Sequence, residues 1–271
     1  WRSRCGGSCS CWAFPPRFEG SRMCGRFSLA VAPERLQQHF QLGKGAVAAL
    51  QPRYNIAPSQ PLLAVVAGSL QRQATQFRWG LIPSWSRTPK AGWINARAET
   101  VAEKPSFRQA FCRRRCLIPA DGFYEWADQG TAKRQPYWFY LLDRPVFAFA
   151  GIWERWRSPQ GVERETCAIL NTPANRLMGL FHERMPAILL EDDYDLWLDP
   201  QVRDPARLLP LLRPYPAEAM AAYPVSTHVN NPRHEDPTCR APIGEAVQGS
   251  NLSEPAGSAS PAVAPASPPV P

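Results

Sequence analysis

Proline is the feature of this sequence that most restricts what the chain can fold into. The chain has 30 prolines among 271 residues, roughly twice the share of about 5% that is usual in proteins. Because proline lacks a backbone N–H and clashes with the preceding helical turn, it interrupts helices. We therefore expect short strands, short helices and many loops, in an α+β pattern without βαβ regularity.

The overall composition is that of a globular protein, with 44% hydrophobic and 20% charged residues. No run of the sequence approaches the ~18 apolar residues of a membrane-spanning helix, and the basic start at residues 1–4 is followed by no signal-like apolar segment. We expect a monomeric cytoplasmic protein with no membrane association. The formal net charge of +8 is compatible with a polyanionic partner and equally with simple solubility.

The eight cysteines show neither the pattern of a small secreted disulfide framework nor the paired C-x-x-C spacing of a zinc site. The Cys112-x3-Cys116 pair could be half of a metal site, but no second pair follows it. Each cysteine is therefore interpreted as a reduced thiol that packs as a small hydrophobe. We predict that the protein uses no metal and no organic cofactor.

Apolar and aromatic runs bounded by turn residues predict strands, and apolar residues at helical spacing predict short helices. A hairpin is expected where the Asp143-Arg144-Pro145 turn joins the runs at 137–142 and 146–153. The predicted strands are 62–67, 75–79, 116–118, 123–126, 137–142, 146–153 and 166–170, and the predicted helices are 33–40, 106–113, 174–181, 192–198 and 205–212. The basic run at 113–115 is interpreted as a solvated surface.

Three segments differ in composition. Residues 241–271 carry seven prolines, many Ala and Ser, and two charges, a composition that predicts a disordered tail. Residues 1–23 resemble no folded element and are interpreted as a non-native or removed leader that is disordered. No linker divides the remainder, so a single domain is expected over 24–240.

The Met23-Cys24 dipeptide carries the clearest chemistry. A methionine before a small residue is the kind of start from which the initiator Met is removed, which would leave Cys24 with a free α-amine. Its amine and thiol have ordinary pKa values near ~8 and ~8.5, so a useful fraction of each is deprotonated at neutral pH. Such a 1,2-aminothiol can attack an aldehyde twice. The amine first forms a Schiff base, and the thiol then closes a five-membered thiazolidine. If Met23 is internal, Cys24 is a structural thiol and this chemistry is absent.

Several longer motifs follow that dipeptide in a fixed order. They are Cys24-Gly25-Arg26-Phe27, Arg53-Tyr54-Asn55-Ile56-Ala57-Pro58, Trp79-Gly80-Leu81-Ile82-Pro83-Ser84-Trp85, Asn95-Ala96-Arg97-Ala98-Glu99-Thr100, Ile118-Pro119-Ala120-Asp121-Gly122-Phe123-Tyr124-Glu125-Trp126, His182-Glu183-Arg184-Met185-Pro186, and Pro224-Val225-Ser226 with Val229-Asn230. Together they resemble the SRAP family, the SOS-response-associated peptidase-like proteins that include abasic-site shield proteins. The resemblance extends from Cys24 to about Cys239.

The resemblance implies a single SRAP-type domain, mainly antiparallel β and barrel-like, with short peripheral helices. It also implies that Cys24 crosslinks the aldehyde of an abasic site in single-stranded DNA, or at a strand–duplex junction, by lyase-like Schiff-base chemistry that can reverse. Asn95 would hold the sugar or polarise the reacting oxygen. Glu125 would act as acid and base, and His182 would assist opening of the deoxyribose by proton transfer. The expected DNA contacts are Arg26, Arg97, Arg184 and Trp85.

Other interpretations remain for each residue and for the function. Glu125 could form a structural ion pair, Asn95 could be a turn residue, His182 could end a helix, and Trp79 could be core or a stacking surface. An N-terminal-nucleophile amidohydrolase or peptidase would also begin with an exposed cysteine. A non-catalytic single-strand-binding module would use the charge and the aromatic residues without Cys24.

Overall fold

The computed structural model describes residues 25–87, 92–128 and 134–252. The predictions for the leader 1–23, for Cys24 and for the end of the tail lie outside these residues. Within them, no helix is long and apolar enough to cross a lipid bilayer.

Strands make up most of the regular secondary structure in the described residues. These are β1 (Phe27–Leu29), β2 (Arg53–Ile56), β3 (Pro61–Val66), β4 (Gln73–Trp79), β5 (Asn95–Arg97), β6 (Arg115–Ala120), β7 (Gly122–Ala127), β8 (Gln135–Leu141), β9 (Phe147–Arg157), β10 (Glu163–Pro173), β11 (Arg184–Pro186), β12 (Ile188–Leu189), β13 (Met220–Pro224) and β14 (Val247–Gln248). The α-helices are short: α1 (Pro33–His39), α2 (Arg108–Arg113), α3 (Tyr194–Leu198) and α4 (Pro205–Leu208). One-turn 3₁₀ helices fill several connections. The predicted α+β fold with short helices is confirmed.

Five strands close into a barrel in the order β4-β3-β6-β9-β10. The pairs within it are antiparallel except one, since β10 runs parallel to β4 and closes the ring through Thr166↔Arg78 and Cys167↔Trp79. β9 and β10 are the longest strands and pair over seven registered positions from Glu163↔Arg157 to Ile169↔Gly151. The barrel-like expectation is therefore confirmed.

A second sheet packs against the barrel, with strand order β14-β13-β8-β7-β1-β2. Its inner face carries Phe27, Phe123 and Phe139, all buried. Phe27 contacts Trp79 and Phe149 of the barrel edge-on, at centroid distances of 5.4 Å and 5.7 Å. Edge-to-face aromatic contacts of this kind add to the stabilisation from burial alone, so the main core lies between this sheet and the barrel.

The predicted hairpin between residues 137–142 and 146–153 is wrong. β8 pairs with β7 and β13, whereas β9 pairs with β6, β10 and β12. The turn at 143–145 carries the chain from the second sheet to the barrel instead of folding it back on itself. Alternating apolar residues indicate which face of a strand is buried, but they do not identify the neighbouring strand.

Two further expectations differ from the structure. The helix predicted over 174–181 is only a 3₁₀ turn at Met178–Leu180. Residues 241–252, placed by composition in a disordered tail, include β14, which pairs with β13 through Ala221↔Gln248 and Ala222↔Val247. Val247 and Leu252 pack on the core, and these apolar side chains give the segment the burial that its average composition does not suggest.

Candidate functional site

A cavity of about 460 Å³ lies beside the first described residue of the chain. It is shaped by several loops and by the β7–β8 hairpin, so its wall comes from distant parts of the sequence. Its lining residues are Gly25, Arg26, Pro58, Ile94, Glu125, Trp126, Arg134 and Asn230. Gly25, the residue that follows Cys24 in the sequence, belongs to this wall.

Glu125 is the acidic residue in the wall of the cavity. It lies on β7, opposite Tyr137 of β8, and only 3% of it is exposed. Its Oε1 accepts a hydrogen bond from the Trp126 N–H at 3.3 Å, whereas Oε2 has no hydrogen-bond partner among the described residues. Burial raises the pKa of Glu125 to about 7, although the Trp126 N–H and the Arg134 charge oppose the shift. Such a carboxyl can both give and take a proton near neutral pH.

Arg26 forms another part of the wall. Its Nη1 donates to Asn55 Oδ1 at 2.8 Å and to the Val229 carbonyl at 2.7 Å, and its guanidinium lies 5.9 Å from the centre of the Trp126 ring. Trp126 Nε1 donates to Asn230 Oδ1 at 2.7 Å. Burial lowers the pKa of Arg26, but the guanidinium stays charged at any ordinary pH. The cavity therefore holds a fixed cation near its buried carboxyl.

The loop after β13 is held against β2 by a dense set of hydrogen bonds. The buried Asn55 side-chain amide donates to the carbonyls of Val229, Asn231 and His234 at 3.1, 3.0 and 2.9 Å. Glu235 Oε1 accepts from the backbone N–H groups of Tyr54 and Asn55 at 2.6 and 2.8 Å. We call these contacts of Asn55 and Glu235 the β2 clamp. They fix the loop that brings Asn230 into the cavity.

Asn95 begins β5, which pairs in parallel with β10 at Ile169. It is partly buried and follows Ile94, a residue of the cavity wall. The Ile94 carbonyl accepts a hydrogen bond from Trp79 Nε1 at 2.8 Å. The chain at Asn95 is thus held in place by a strand pair on one side and by a tryptophan on the other.

His182 lies just before β11, outside the lining residues that the structure describes for the cavity. Its Nδ1 lies 3.0 Å from the Arg184 backbone nitrogen and 3.3 Å from the Arg184 carbonyl oxygen. The preceding Phe181 packs on Tyr137 at a centroid distance of 4.7 Å, and Tyr137 is the cross-strand partner of Glu125. Each of the two predicted proton-transfer residues therefore has a chain or strand neighbour in this aromatic pair.

Arg184, expected to contact DNA, is engaged within the protein. Its guanidinium donates to both carboxylate oxygens of Glu99 at 2.5 and 2.8 Å and to Asn171 Oδ1 at 2.6 Å. The hydrogen bond from Arg184 is the main cause of a lowered pKa of Glu99. A phosphate contact by Arg184 would have to compete with this bidentate pair.

The remaining predicted contacts lie at the surface. Arg97 is exposed on β5, and 65% of Trp85 is exposed. Trp79, by contrast, is fully buried, so of its two interpretations the structure supports core packing. An exposed tryptophan is available for stacking on a base, and Trp93, which is 55% exposed, is a second candidate of this kind that the sequence alone did not single out.

Sequence reasoning also missed several residues of the site, among them Ile94, which lines the cavity. Arg134 and Pro58 line the cavity, and Asn55 holds its loop. Pro58 and Asn55 lie within a motif that was recognised as a whole, but the motif did not indicate what either residue does. Arg134 lies in none of the recognised motifs. It comes near Glu125 only through the pairing of β7 with β8, which the sequence did not reveal.

Together these features define a mainly β protein with a closed five-stranded barrel and a small cavity, in which a buried carboxyl and a fixed arginine share the wall with the residue that follows Cys24. The chain belongs to the SRAP family, since the family model for SOS response associated peptidase (SRAP) matches residues 23–232.

Named relatives agree with this assignment. The abasic site processing protein YoqW of Bacillus subtilis (strain 168) is 42% identical over 218 residues, covering 79% of this chain and 97% of the relative. The abasic site processing protein HMCES of Xenopus tropicalis is 31% identical over 269 residues, covering 82% of this chain and 78% of the relative. A crystal structure of a protein from Bacteroides thetaiotaomicron superposes with a TM-score of 0.72 at 31% identity, covering 80% of this chain and 100% of that one.

Proposed function

We propose that this protein processes abasic sites in single-stranded DNA by forming a covalent crosslink between Cys24 and the aldehyde of the ring-opened sugar. The observation that carries the proposal is the buried Glu125, whose pKa is raised to about 7 by burial, in the same cavity wall as Gly25. The names of the relatives, which are abasic site processing proteins, support the choice of substrate.

In this mechanism the α-amine of Cys24 adds to the aldehyde carbon, and the resulting carbinolamine loses one water to give a Schiff base. Glu125 in its protonated form would give a proton to the departing hydroxyl. The thiol then adds to the imine carbon while its proton moves to nitrogen, which closes the thiazolidine. Each step places a proton donor or acceptor within a preorganised site, as general acid–base catalysis requires.

Asn95 would bind the sugar or the reacting oxygen, and His182 would assist ring opening by proton transfer. For the DNA we propose contacts of Arg26 and Arg97 with phosphates and of Trp85 with a base. We further propose that the protein acts as a monomer in the cytoplasm, on single strands or at strand–duplex junctions. We propose that Arg184 orients the chain through Glu99 and reaches a phosphate only if that pair opens.

The decisive experiment is intact mass spectrometry after incubation with an oligonucleotide that contains one abasic site. The chain begun at Met23, the full 1–271 chain, Cys24→Ala and the control Cys112→Ala are compared. A heat-stable adduct of protein plus DNA minus one water is expected for the Met23 form and for its Cys112→Ala version, and not for Cys24→Ala. The full chain should react only if residues 1–23 are removed.

Absence of an adduct with every form would refute the crosslinking mechanism. Glutamine hydrolysis or peptide cleavage that requires Cys24 would then indicate an N-terminal-nucleophile hydrolase. DNA affinity that persists in Cys24→Ala without any covalent product would indicate a binding module.

Glu125→Gln tests the proposed acid–base role in the same assay. We expect adduct formation at neutral pH to slow by about 10²-fold or more, the usual contribution of general acid–base catalysis. The rate is measured as the fraction of adduct against time. An unchanged rate would remove Glu125 from the chemistry and leave it a structural carboxyl.

A further inference from the structure

A second group of reactive side chains lies in the loop after β13, outside the cavity. His228, Asp236 and Cys239 place a ring nitrogen, a carboxylate oxygen and a thiol sulfur within 4.8 Å of one another. His228 Nε2 is 2.9 Å from Asp236 Oδ2, and Cys239 is fully buried. These are three different donor types from one short segment, and none of them lines the cavity at Glu125.

The local backbone holds each donor in position. Asp236 caps the 3₁₀ turn Pro237–Arg240, and its Oδ1 accepts from the Thr238 N–H at 2.9 Å, which leaves Oδ2 for His228. The Cys239 N–H donates to the Asp236 carbonyl at 3.1 Å, so the thiol and the carboxylate come from one turn of the chain. His228 lies on the preceding 3₁₀ turn, Thr227–Asn230.

A second histidine fixes the orientation of the first. The His234 ring stacks on the His228 ring with centroids 3.8 Å apart and planes 12° from parallel. His234 Nδ1 is 2.7 Å from the His228 carbonyl, and the Cys239 thiol donates weakly to the His234 carbonyl at 3.5 Å. The stack and these two contacts tie His228, His234 and Cys239 together in one arrangement.

We propose that His228, Asp236 and Cys239 form a binding site for a zinc ion, with water as a fourth ligand. Zinc binds nitrogen, thiolate and carboxylate ligands at ~2.0–2.3 Å in a tetrahedral arrangement, which requires donors roughly 3.5 Å apart. The 2.9 Å distance between His228 and Asp236 would therefore lengthen slightly, and the longer distances in the group, which lie within 4.8 Å, would shorten. Hard cations such as Mg²⁺ and Ca²⁺ favour oxygen ligands and do not suit a buried thiol.

Binding balances simply. Cys239 Sγ releases its proton to water and binds as a thiolate. His228 binds through Nε2 as a neutral ring with its proton on Nδ1, and any second proton on the ring is also released to water. A plain ion pair between His228 and Asp236 would account for two of the three groups. Apolar packing of Cys239 in a small buried cluster accounts for the third, whereas zinc binding accounts for the convergence of all three donor atoms on one point.

The site is positioned to stabilise the loop that forms one wall of the cavity. His228 is followed by Val229 and Asn230, whose carbonyls accept hydrogen bonds from Arg26 at 2.7 and 3.4 Å. A bound zinc ion would tie the two 3₁₀ turns together behind these contacts. The loop would then be held by the metal as well as by the β2 clamp.

The test is titration of the full chain with Zn²⁺ and with Co²⁺, after the four cysteines at 5, 9, 11 and 24 are replaced by serine so that they cannot compete. We expect one Zn²⁺ per chain by competition with a chromophoric chelator and a higher melting temperature. Co²⁺ should give a near-ultraviolet thiolate-to-metal band. Because Cys24 is absent, the result does not depend on the crosslinking proposal.

Added to this background, Cys239→Ser should abolish the cobalt band, and His228→Gln should weaken zinc binding by at least about tenfold. Cys112→Ser is the matched control and should change neither. The proposal is overturned if the background binds no zinc stoichiometrically, or if Cys239→Ser retains both the band and the affinity. If circular dichroism shows that Cys239→Ser is misfolded, the partly exposed His228→Gln decides alone.

Discussion

At the scale of single residues, the most informative one is Glu125, because burial changes how tightly it holds a proton. In the folded protein its pKa is raised to about 7 from an ordinary value of 4.5. The folded state therefore binds this proton more tightly than the unfolded chain does. The stabilisation from this proton is fully present below the ordinary value and is lost as the pH rises through about 7.

Glu125→Gln should remove this pH dependence, because an amide does not titrate. Relative to the parent protein, the variant should gain stability as the pH rises from about 4.5 to 7, by up to about 3 kcal/mol at the alkaline end. Urea unfolding at a series of pH values measures the difference. A constant difference between the two proteins across this range would show that the pKa of Glu125 is not raised.

Arg115 is a residue whose role the sequence concealed. The run at 113–115 was predicted to be a solvated surface, but only 5% of Arg115 is exposed. Its guanidinium donates five hydrogen bonds, to the carbonyls of Phe111, Cys112, Trp197, Asp199 and Val202. The prediction is wrong for this residue because the run leads into β6 inside the barrel, and sequence alone does not show which arginine turns inward.

Arg115→Met should therefore lower the free energy of unfolding by about 2–4 kcal/mol, since it leaves several buried carbonyls without donors. The neighbouring Arg113→Met, at an exposed position, is the matched control and should change it by less than about 0.5 kcal/mol. Chemical denaturation of both variants provides the comparison. Equal changes in the free energy of unfolding for the two variants would mean that the buried hydrogen bonds of Arg115 do not stabilise the fold.

At the scale of elements, the β2 clamp explains how a strand near the start of the domain controls a loop near its end. Asn55 holds three carbonyls of that loop, and Glu235 holds the backbone of β2 and pairs with Arg53 at 2.8 Å. No strand was predicted at β2, because its sequence Arg53-Tyr54-Asn55-Ile56 is not an apolar run. Asn55 bonds to residues at least 174 positions away in the sequence. No local sequence pattern predicts such a partner.

Asn55→Ala should loosen the loop at 226–240 while the barrel stays folded. We expect faster amide exchange in that loop, and slower adduct formation because Arg26 and Asn230 lose their fixed positions. The matched control is Asn251→Ala, at an exposed position, which should change neither. Hydrogen exchange read by mass spectrometry makes the comparison, and unaltered exchange in the loop would contradict the role of the clamp.

The order of elements was more predictable than their pairing. Short runs at 62–67, 75–79 and 166–170 correspond to β3, β4 and β10, because each has the apolar, β-branched composition of a buried strand. The parallel pairing of β4 with β10 and the separation of β8 from β9 could not be predicted. Pairing depends on contacts between distant segments, which a single sequence does not reveal.

The same limit applies to the site. Glu125 and Arg26 were predicted from their motifs and line one cavity. The proposed roles of Asn95 and His182 stay predictions, and neither residue is among the described lining residues. The β2 clamp, the grouping of His228 with Asp236 and Cys239, and the place of Arg134 in the cavity were not predicted, because each depends on a loop brought back across the fold.

At the scale of the whole molecule, the net charge of +8 should act on DNA independently of the covalent step. We expect the logarithm of the association constant for an undamaged single strand to fall linearly with the logarithm of the salt concentration. For contacts to about four phosphates the slope is about −3, which is a loss of roughly 50-fold between about 50 and 200 mM salt.

Fluorescence anisotropy with a labelled single strand measures this dependence. The Cys24→Ala variant should give the same slope, and Trp85→Ala should weaken binding at every salt concentration by a constant factor, because stacking does not release counterions. Affinity that does not change with salt would exclude an electrostatic interface.

The contact between Arg26 and the Val229 carbonyl spans 203 residues of sequence, and this has a consequence for how the protein is made. A ribosome synthesises the amino end first, yet that end acquires its surroundings only after the last part of the domain has been translated. A chain interrupted before residue 229 would lack the carbonyl that holds Arg26 and the Asn230 side of the cavity wall. Long-range closure of this kind also slows folding, so this part of the cavity forms only in a chain translated nearly to the end of the domain.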